Sequence, residues 1–204
     1  DNSAVLNYLE EVKEDILENL EDFKPQEEQP AAFPFLKPLK TDSVFNKYVV
    51  NIFVNNRELK GAPVVVESNP NYFNIFGRIE HKVQYGVAVT DFSMIKAGSL
   101  QRANGGYLVI DAFEMLKNIF VYDALKRSIK DREIKIEDVW EQYRLISTIT
   151  LKPEAIPFDV KIVLVGNPRL YYLLYNLDEE YRELFKVKAD FENRMDRNKE
   201  NMSK

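Results

Sequence analysis

The chain has 204 residues, 45% of them apolar, with 28 basic and 33 acidic side chains and a formal net charge of −5. That is enough for one ordinary domain with an appendage and a sizeable core, and mixed charge of this sign argues against a general nucleic-acid-binding surface. Cysteine is absent and His81 is the single histidine, which excludes disulfides, thiolate metal sites and a histidine-rich zinc site and fits a reducing compartment. No apolar run approaches the ~20 residues of a membrane span, and Asp1-Asn-Ser lacks the basic flank of a signal peptide. Without an initiator methionine and opening just ahead of a helix, the chain is expected to be cut from something longer.

Val5, Leu9, Val12, Ile16 and Leu20 recur at spacings of four and three between acidic residues, which predicts one amphipathic helix over residues 3–22 with an acidic outer face. Lys24-Pro-Gln-Glu-Glu-Gln-Pro30 follows as a proline-bounded linker. The period then changes. Tyr48–Val54 and Pro63–Glu67 read as strands, 77–83 and 87–90 as short strands or a hairpin around Gly86, and Asp91–Gly105 as a short helix with a glycine-marked exit. Strand Tyr107–Asp111 leads into a helical pattern from Glu114 to Ile129. Residues 132–136 and 145–150 alternate as a half-exposed hairpin, 161–166 is a second buried strand, Arg169–Leu184 a Leu- and Tyr-rich helix, and Phe185–Phe191 a last edge-like strand.

Two of these strands carry the chemistry. Tyr107-Leu-Val-Ile-Asp111 ends in a carboxylate and Lys161-Ile-Val-Leu-Val-Gly-Asn167 in an amide. Continuous apolar runs are the mark of parallel strands buried on both faces, and ligands of open α/β sheets bind at the carboxyl ends of such strands. An Asp and an Asn side by side there can hold a magnesium water shell and orient a water against a phosphate. The competing reading is that both residues merely cap the helices that follow them.

The segment Ile95-Lys-Ala-Gly-Ser-Leu-Gln-Arg-Ala-Asn-Gly-Gly-Tyr-Leu-Val-Ile-Asp-Ala112 closely resembles the second acidic ATPase motif of the Lon-related ATP-dependent proteases. In these an AAA+ module with a long helical insertion leads into a Ser-Lys peptidase domain. Lys60-Gly-Ala-Pro-Val-Val, Phe76-Gly-Arg-Ile-Glu80, Ile156-Pro-Phe-Asp-Val-Lys-Ile-Val-Leu-Val-Gly166 and Glu183-Leu-Phe-Lys-Val-Lys-Ala-Asp-Phe191 match in the same order, so the resemblance runs from about residue 40 to 197. It implies an α/β fold: part of an AAA+ P-loop NTPase core, a parallel sheet with flanking helices and a β-hairpin insertion at 132–150, preceded by a long amphipathic helix. Residues 1–30 would be the end of the helical insertion and its linker, and 31–204 the second half of the nucleotide-binding domain. Asp111 resembles the Asp that coordinates Mg2+ through water, Asn167 the first sensor of the γ-phosphate, and Arg182 the arginine finger that acts on a neighbouring subunit, with Arg194 and Arg197 as rivals. The resemblance further implies ATP and Mg2+ as cofactors, a cytoplasmic homo-hexamer, and unfolded or damaged proteins as substrates.

Two departures stand beside it. No Gly-x-x-x-x-Gly-Lys-Ser/Thr occurs in the chain, so the backbone amides and lysine that surround the β- and γ-phosphates are missing. Ala112 stands where an AAA+ ATPase has its water-polarising glutamate, and Glu114 lies two residues further on. A Ser-Lys dyad would lie beyond Lys204. These departures motivate the alternative of an assembly or substrate-binding module that keeps a nucleotide-site fold without hydrolysis. Arg182 sits among Asp178, Glu179, Glu180 and Glu183, so a local ion pair competes with the finger. Gly105-Gly106 reads as a tight turn into the strand rather than a phosphate nest, and Arg102 and Asn104 as residues that could bracket a neighbour's site. His81 reads as a structural or surface residue, with a pH switch as the other reading. Phe73, Phe76 and Tyr85 are either a substrate-gripping loop or core beneath a loop.

Overall fold

The computed structural model describes residues 3–23, 47–84, 87–118, 120–136, 151–192 and 194. The chain divides into two compact units, Asp1–Asn51 and Ile52–Lys204.

In the first unit, helix α1 (Ser3–Glu18) continues into a 3-10 turn, Leu20–Phe23, as the apolar spacing predicts. Val12 and Ile16 are half-buried, while Val5 and Leu9 on the same stripe are more than half exposed. Asp15 fastens the helix to the chain beyond the linker: its carboxylate receives Lys47 Nζ at 2.7 Å and the Tyr48 hydroxyl, and Tyr48 stacks on Phe23 with centroids 5.9 Å apart. The hydrogen bond from Lys47, reinforced by that from Tyr48, holds the Asp15 carboxyl below its ordinary range. Tyr48–Val54 forms no strand; its described residues are a 3-10 end followed by irregular chain.

The second unit is an α/β fold around a three-stranded parallel sheet. Its strands β1 (Val64–Glu67), β6 (Tyr107–Asp111) and β9 (Lys161–Val165) lie in the order β1-β6-β9. The register runs Val64↔Tyr107↔Lys161 through to Asp111↔Val165. Between β1 and β6 come α2 (Tyr72–Phe76), the antiparallel pair β2 (Arg78–Ile79) and β5 (Ile95–Lys96), the antiparallel hairpin β3 (Lys82–Gln84) and β4 (Val87–Val89), and α3 (Ser99–Arg102). The hairpin falls where the alternation around Gly86 places it. After β6 come α4 (Ala112–Lys117), α5 (Val121–Asp131), and β7 (Glu133–Ile134), which pairs antiparallel with β8 (Ile156–Pro157). Helices α6 (Pro168–Leu177) and α7 (Glu179–Leu184) follow β9. The insertion predicted at 132–150 lies, beyond residue 136, outside the described residues, as do Tyr85 and Arg197.

The core lies on one side of the sheet. Leu108 and Ile110 are fully buried with Ile75, Leu100, Met115, Val121, Leu125 and Ile134, and Val65, Ile162 and Leu164 pack against them. Burial on that scale contributes about 1.5–3 kcal/mol for each large apolar side chain. The opposite side is bare: Val64 is 64% exposed, Val66 71%, Val163 41% and Val165 53%. The expectation that these strands are covered on both faces is therefore corrected. Helices pack on one face only, and the valines of the other meet no described element that shields them.

Three further differences have local causes. The 114–129 pattern is two helices, because Asn118 caps α4 and Phe120 adopts φ 74 before α5 begins. The 169–184 pattern is also two, because Asp178 ends α6 and its side chain accepts from Glu180 N and Tyr181 N to start α7. Phe185–Phe191 is extended chain outside any strand, with Val187 89% and Phe191 95% exposed.

Candidate functional site

The carboxyl ends of the three parallel strands converge on Glu67, Asp111 and Gly166-Asn167. Asp111 closes β6 and its Oδ1 accepts from Glu114 N at 2.9 Å, so it is the N-cap of α4. Asn167 sits one residue past Gly166, and its Oδ1 accepts from Leu170 N at 2.8 Å at the start of α6, where Pro168 occupies a first-turn position that needs no donor. Both side chains remain exposed. Capping and ligand binding are compatible here, because a cap engages one oxygen of a side chain held at the crevice mouth.

Glu67 was not singled out from the sequence, although Pro63-Val-Val-Val-Glu67 ends in a carboxylate as the Asp111 strand does. Its side chain is only 11% exposed. It accepts from Asn69 N at 2.9 Å and from the Ser99 hydroxyl, with Arg102 3.8 Å away. Ser99 is fully buried and also receives Arg102 at 2.9 Å. The carboxylate is thus committed to fixing α3 against β1, and Arg102 belongs to that cluster.

A cleft of about 200 Å³ opens beside Asn167, lined by Ala112, Gly166, Tyr171, Tyr181 and Lys188 among others. Ala112 is 4% exposed and packs beneath Gly166, so the position that follows Asp111 points into the protein. Glu114 is half-buried and paired with Lys117 Nζ at 2.6 Å. Lys188 lies over the rings of Tyr171 and Tyr172 at 4.7 and 4.9 Å, and its hydrogen bond to Asp190 lifts its pKa above the ordinary lysine value.

Arg182 projects from α7 about half exposed. Its nearest carboxylate is Glu179 at 3.9 Å, itself 91% exposed, and its guanidinium lies 5.7 Å from the Tyr175 ring centroid. The local acidic cluster therefore holds it loosely, because the other carboxylates are engaged elsewhere. Asp178 receives Tyr122 at 2.6 Å and Lys126 at 2.9 Å, and Glu180 binds Lys126 at 3.0 Å and Lys130. Burial opposes charge on Asp178, but the hydrogen bonds from Tyr122 and Lys126 outweigh it and depress the carboxyl pKa. Burial, then the neighbouring Asp178, raises the Tyr122 phenol well above its ordinary value. Arg194 is exposed, and so is His81.

The remaining residues are structural. Gly105 has φ 81 and donates to Asp159 O at 2.8 Å, and a Cβ on Gly106 would lie 2.0 Å from Pro63 O. This pair makes the tight entry into β6. Asn104 ties the same turn to 157–159 through both ends of its amide. Phe76 is 2% exposed, which places it in the core rather than on a substrate-gripping loop.

One carboxylate and one amide do not by themselves hold a magnesium–nucleotide. Among the described residues no group of three His, Cys, Asp or Glu side chains could hold a metal ion, and the sequence supplies no phosphate loop. What the arrangement offers is one side of such a site. A strand-end Asp and a strand-end Asn on adjacent parallel strands define a nucleotide-type α/β crevice. The match to a known family makes this specific: residues 60–192 fit the family described as "LonB-like, AAA domain", and the chain belongs to it. No individual curated protein matches the chain. Among the described residues, no helix is long and apolar enough to cross a membrane.

Proposed function

We propose that this chain is the second half of the nucleotide-binding domain of a Lon-like ATP-dependent serine protease, with residues 1–30 the end of its helical insertion. The observation that carries the reading is the adjacency of Asp111 and Gly166-Asn167 at the carboxyl ends of β6 and β9, within a LonB-like AAA domain. Asp111 would hold Mg2+ through water, Asn167 would orient a water at the γ-phosphate, and Arg182 would reach the nucleotide of a neighbouring subunit. Bound Mg-ATP would supply the free energy for feeding unfolded or damaged protein to a Ser-Lys peptidase domain outside these residues. The working assembly is a cytoplasmic homo-hexamer with no membrane or nucleic-acid partner. Because the phosphate loop is missing here, no hydrolytic step is assigned to this chain alone.

Isothermal titration tests the reading. These 204 residues should bind Mg-ATP weakly, with no micromolar constant, whereas the complete polypeptide should bind it and lose affinity on Asp111→Asn. Equal affinity of the chain and the complete protein would refute it. A second reading, an assembly module that binds nucleotide without hydrolysis, is favoured by the buried Ala112 and the Lys117-paired Glu114, which leave no free glutamate beside Asp111. Phosphate release by the complete protein separates the two.

A further inference from the structure

The geometry points to a vacant strand position inside the sheet, and we propose that a strand–helix unit of the same polypeptide, outside residues 1–204, fills it. The strand would run parallel to β9 between β9 and residues 185–191, and its helix would cover the bare valine face.

Four observations meet at this position. Among the described strands β9 pairs only with β6, so its outer edge offers unpaired backbone donors and acceptors; such an edge is a template for another strand. Residues 185–191 alternate Phe, Lys, Val, Lys, Ala, Asp, Phe, a period-two pattern, yet they join no ladder. The 200 Å³ cleft lies between the two, with Leu164 and Gly166 on one wall and Val187, Ala189 and Phe191 on the other. The exposed valines 64, 66, 163 and 165 share one face of the sheet, and purely parallel sheets are covered on both faces by the helices of their crossovers.

Together these specify the occupant. The unpaired edge requires an extended backbone rather than a helix or a small molecule, and the unpaired 185–191 segment requires that backbone to have two hydrogen-bonding sides, as an interior strand does. An apolar face continuous with the core resembles a domain cut in half, which is the character of a permanent interface rather than a transient one. A strand parallel to β9 would release its following loop at the edge that carries Asp111 and Asn167, where a helix N-terminus suits an anion.

Amide hydrogen exchange, measured without nucleotide so that the result is independent of ATP binding, tests the proposal. In the 204-residue chain the amides of 186–191 and the outward amides of β9 should exchange within seconds. In the polypeptide encoded by the complete reading frame both sets should slow at least 100-fold. Val187→Asp should return 186–191 to fast exchange in the complete protein while leaving the melting of the isolated chain unchanged. Val66→Lys should likewise be silent in the isolated chain and lower the melting temperature of the complete one. Fast exchange in both proteins overturns the strand, and a silent Val66→Lys in both overturns the covering helix. Protection already present in the isolated chain at every concentration means that the position is closed from within. Protection that grows with its concentration, with a dimer in the ultracentrifuge, gives it to a second copy. Either result overturns the proposal.

Discussion

Asp111 and Asn167 each do two jobs at one position, and substitutions can separate them. Asparagine caps a helix about as well as aspartate, so Asp111→Asn keeps the bond to Glu114 N and removes only the charge. The complete protein should then melt at its usual temperature while its Mg-dependent nucleotide affinity falls about tenfold, which corresponds to about 1.4 kcal/mol; unchanged affinity would leave Asp111 a cap alone. Asp111→Ala should add a stability loss of about 1 kcal/mol in thermal or urea unfolding, the usual contribution of a cap. Gly106 is a different kind of residue. An added Cβ would meet Pro63 O at 2.0 Å, backbone against backbone, so Gly106→Ala should destabilise the fold by about 3 kcal/mol through overpacking. Gly105→Ala meets no such atom, and its cost is the strain of holding alanine at φ 81.

At the scale of elements, the junction of α6 and α7 is held to α5 by Asp178, Lys126 and Tyr122. Asp178→Asn again preserves a cap while removing the charge that receives Lys126 and Tyr122, groups only partly accessible to water. At neutral pH the loss should be about 2 kcal/mol, the size of a charge-assisted hydrogen bond. Its pH dependence has a definite sign. The folded carboxyl titrates below its ordinary value of 3.8, so its contribution is complete above that value and is lost as pH falls through the lower folded one. Melting temperatures of the wild type and Asp178→Asn should therefore differ at neutral pH and converge in acid; a difference that persists at pH 2 would contradict the assignment. The same junction shows what could be read in advance. The apolar spacing of 169–184 predicts a helix, and helix it is, but Asp178 interrupts it because its side chain satisfies two amides that a continuous helix would use otherwise. The Asn118–Phe120 break in 114–129 is of the same kind. Periodicity reports which face of a helix is apolar, and a break that conserves the face leaves no trace in it.

For the whole molecule, the segments whose state depends on a partner were the illegible ones. β1, β6 and β9 were readable because each finds its neighbour among these residues. Residues 48–54 and 185–191 carry equally good strand patterns and form none, because a strand is completed by its neighbour and a pattern cannot supply one. The site was legible to the same extent: strand-end Asp111 and Asn167 could be placed, whereas Glu67, Ser99 and Arg102 close on one another only through the packing of α3 on β1. Arg182 belongs to this scale as well. Its local anchors are one distant carboxylate and one ring face, and an exposed pair of that sort contributes little to stability. Arg182→Ala should therefore leave the melting temperature nearly unmoved. In an assembled ring it should lower ATP turnover by orders of magnitude, because a positive charge aimed at a neighbour's γ-phosphate stabilises only the transition state. Mixing Arg182→Ala subunits with subunits disabled at the phosphate loop of the complete protein tests the direction of that action. A mixed ring juxtaposes an intact arginine with an intact loop, so part of the activity should return. Stable mixed rings that stay inactive, or normal turnover by Arg182→Ala alone, would exclude the trans role, and the exposed Arg194 would become the side chain to substitute next.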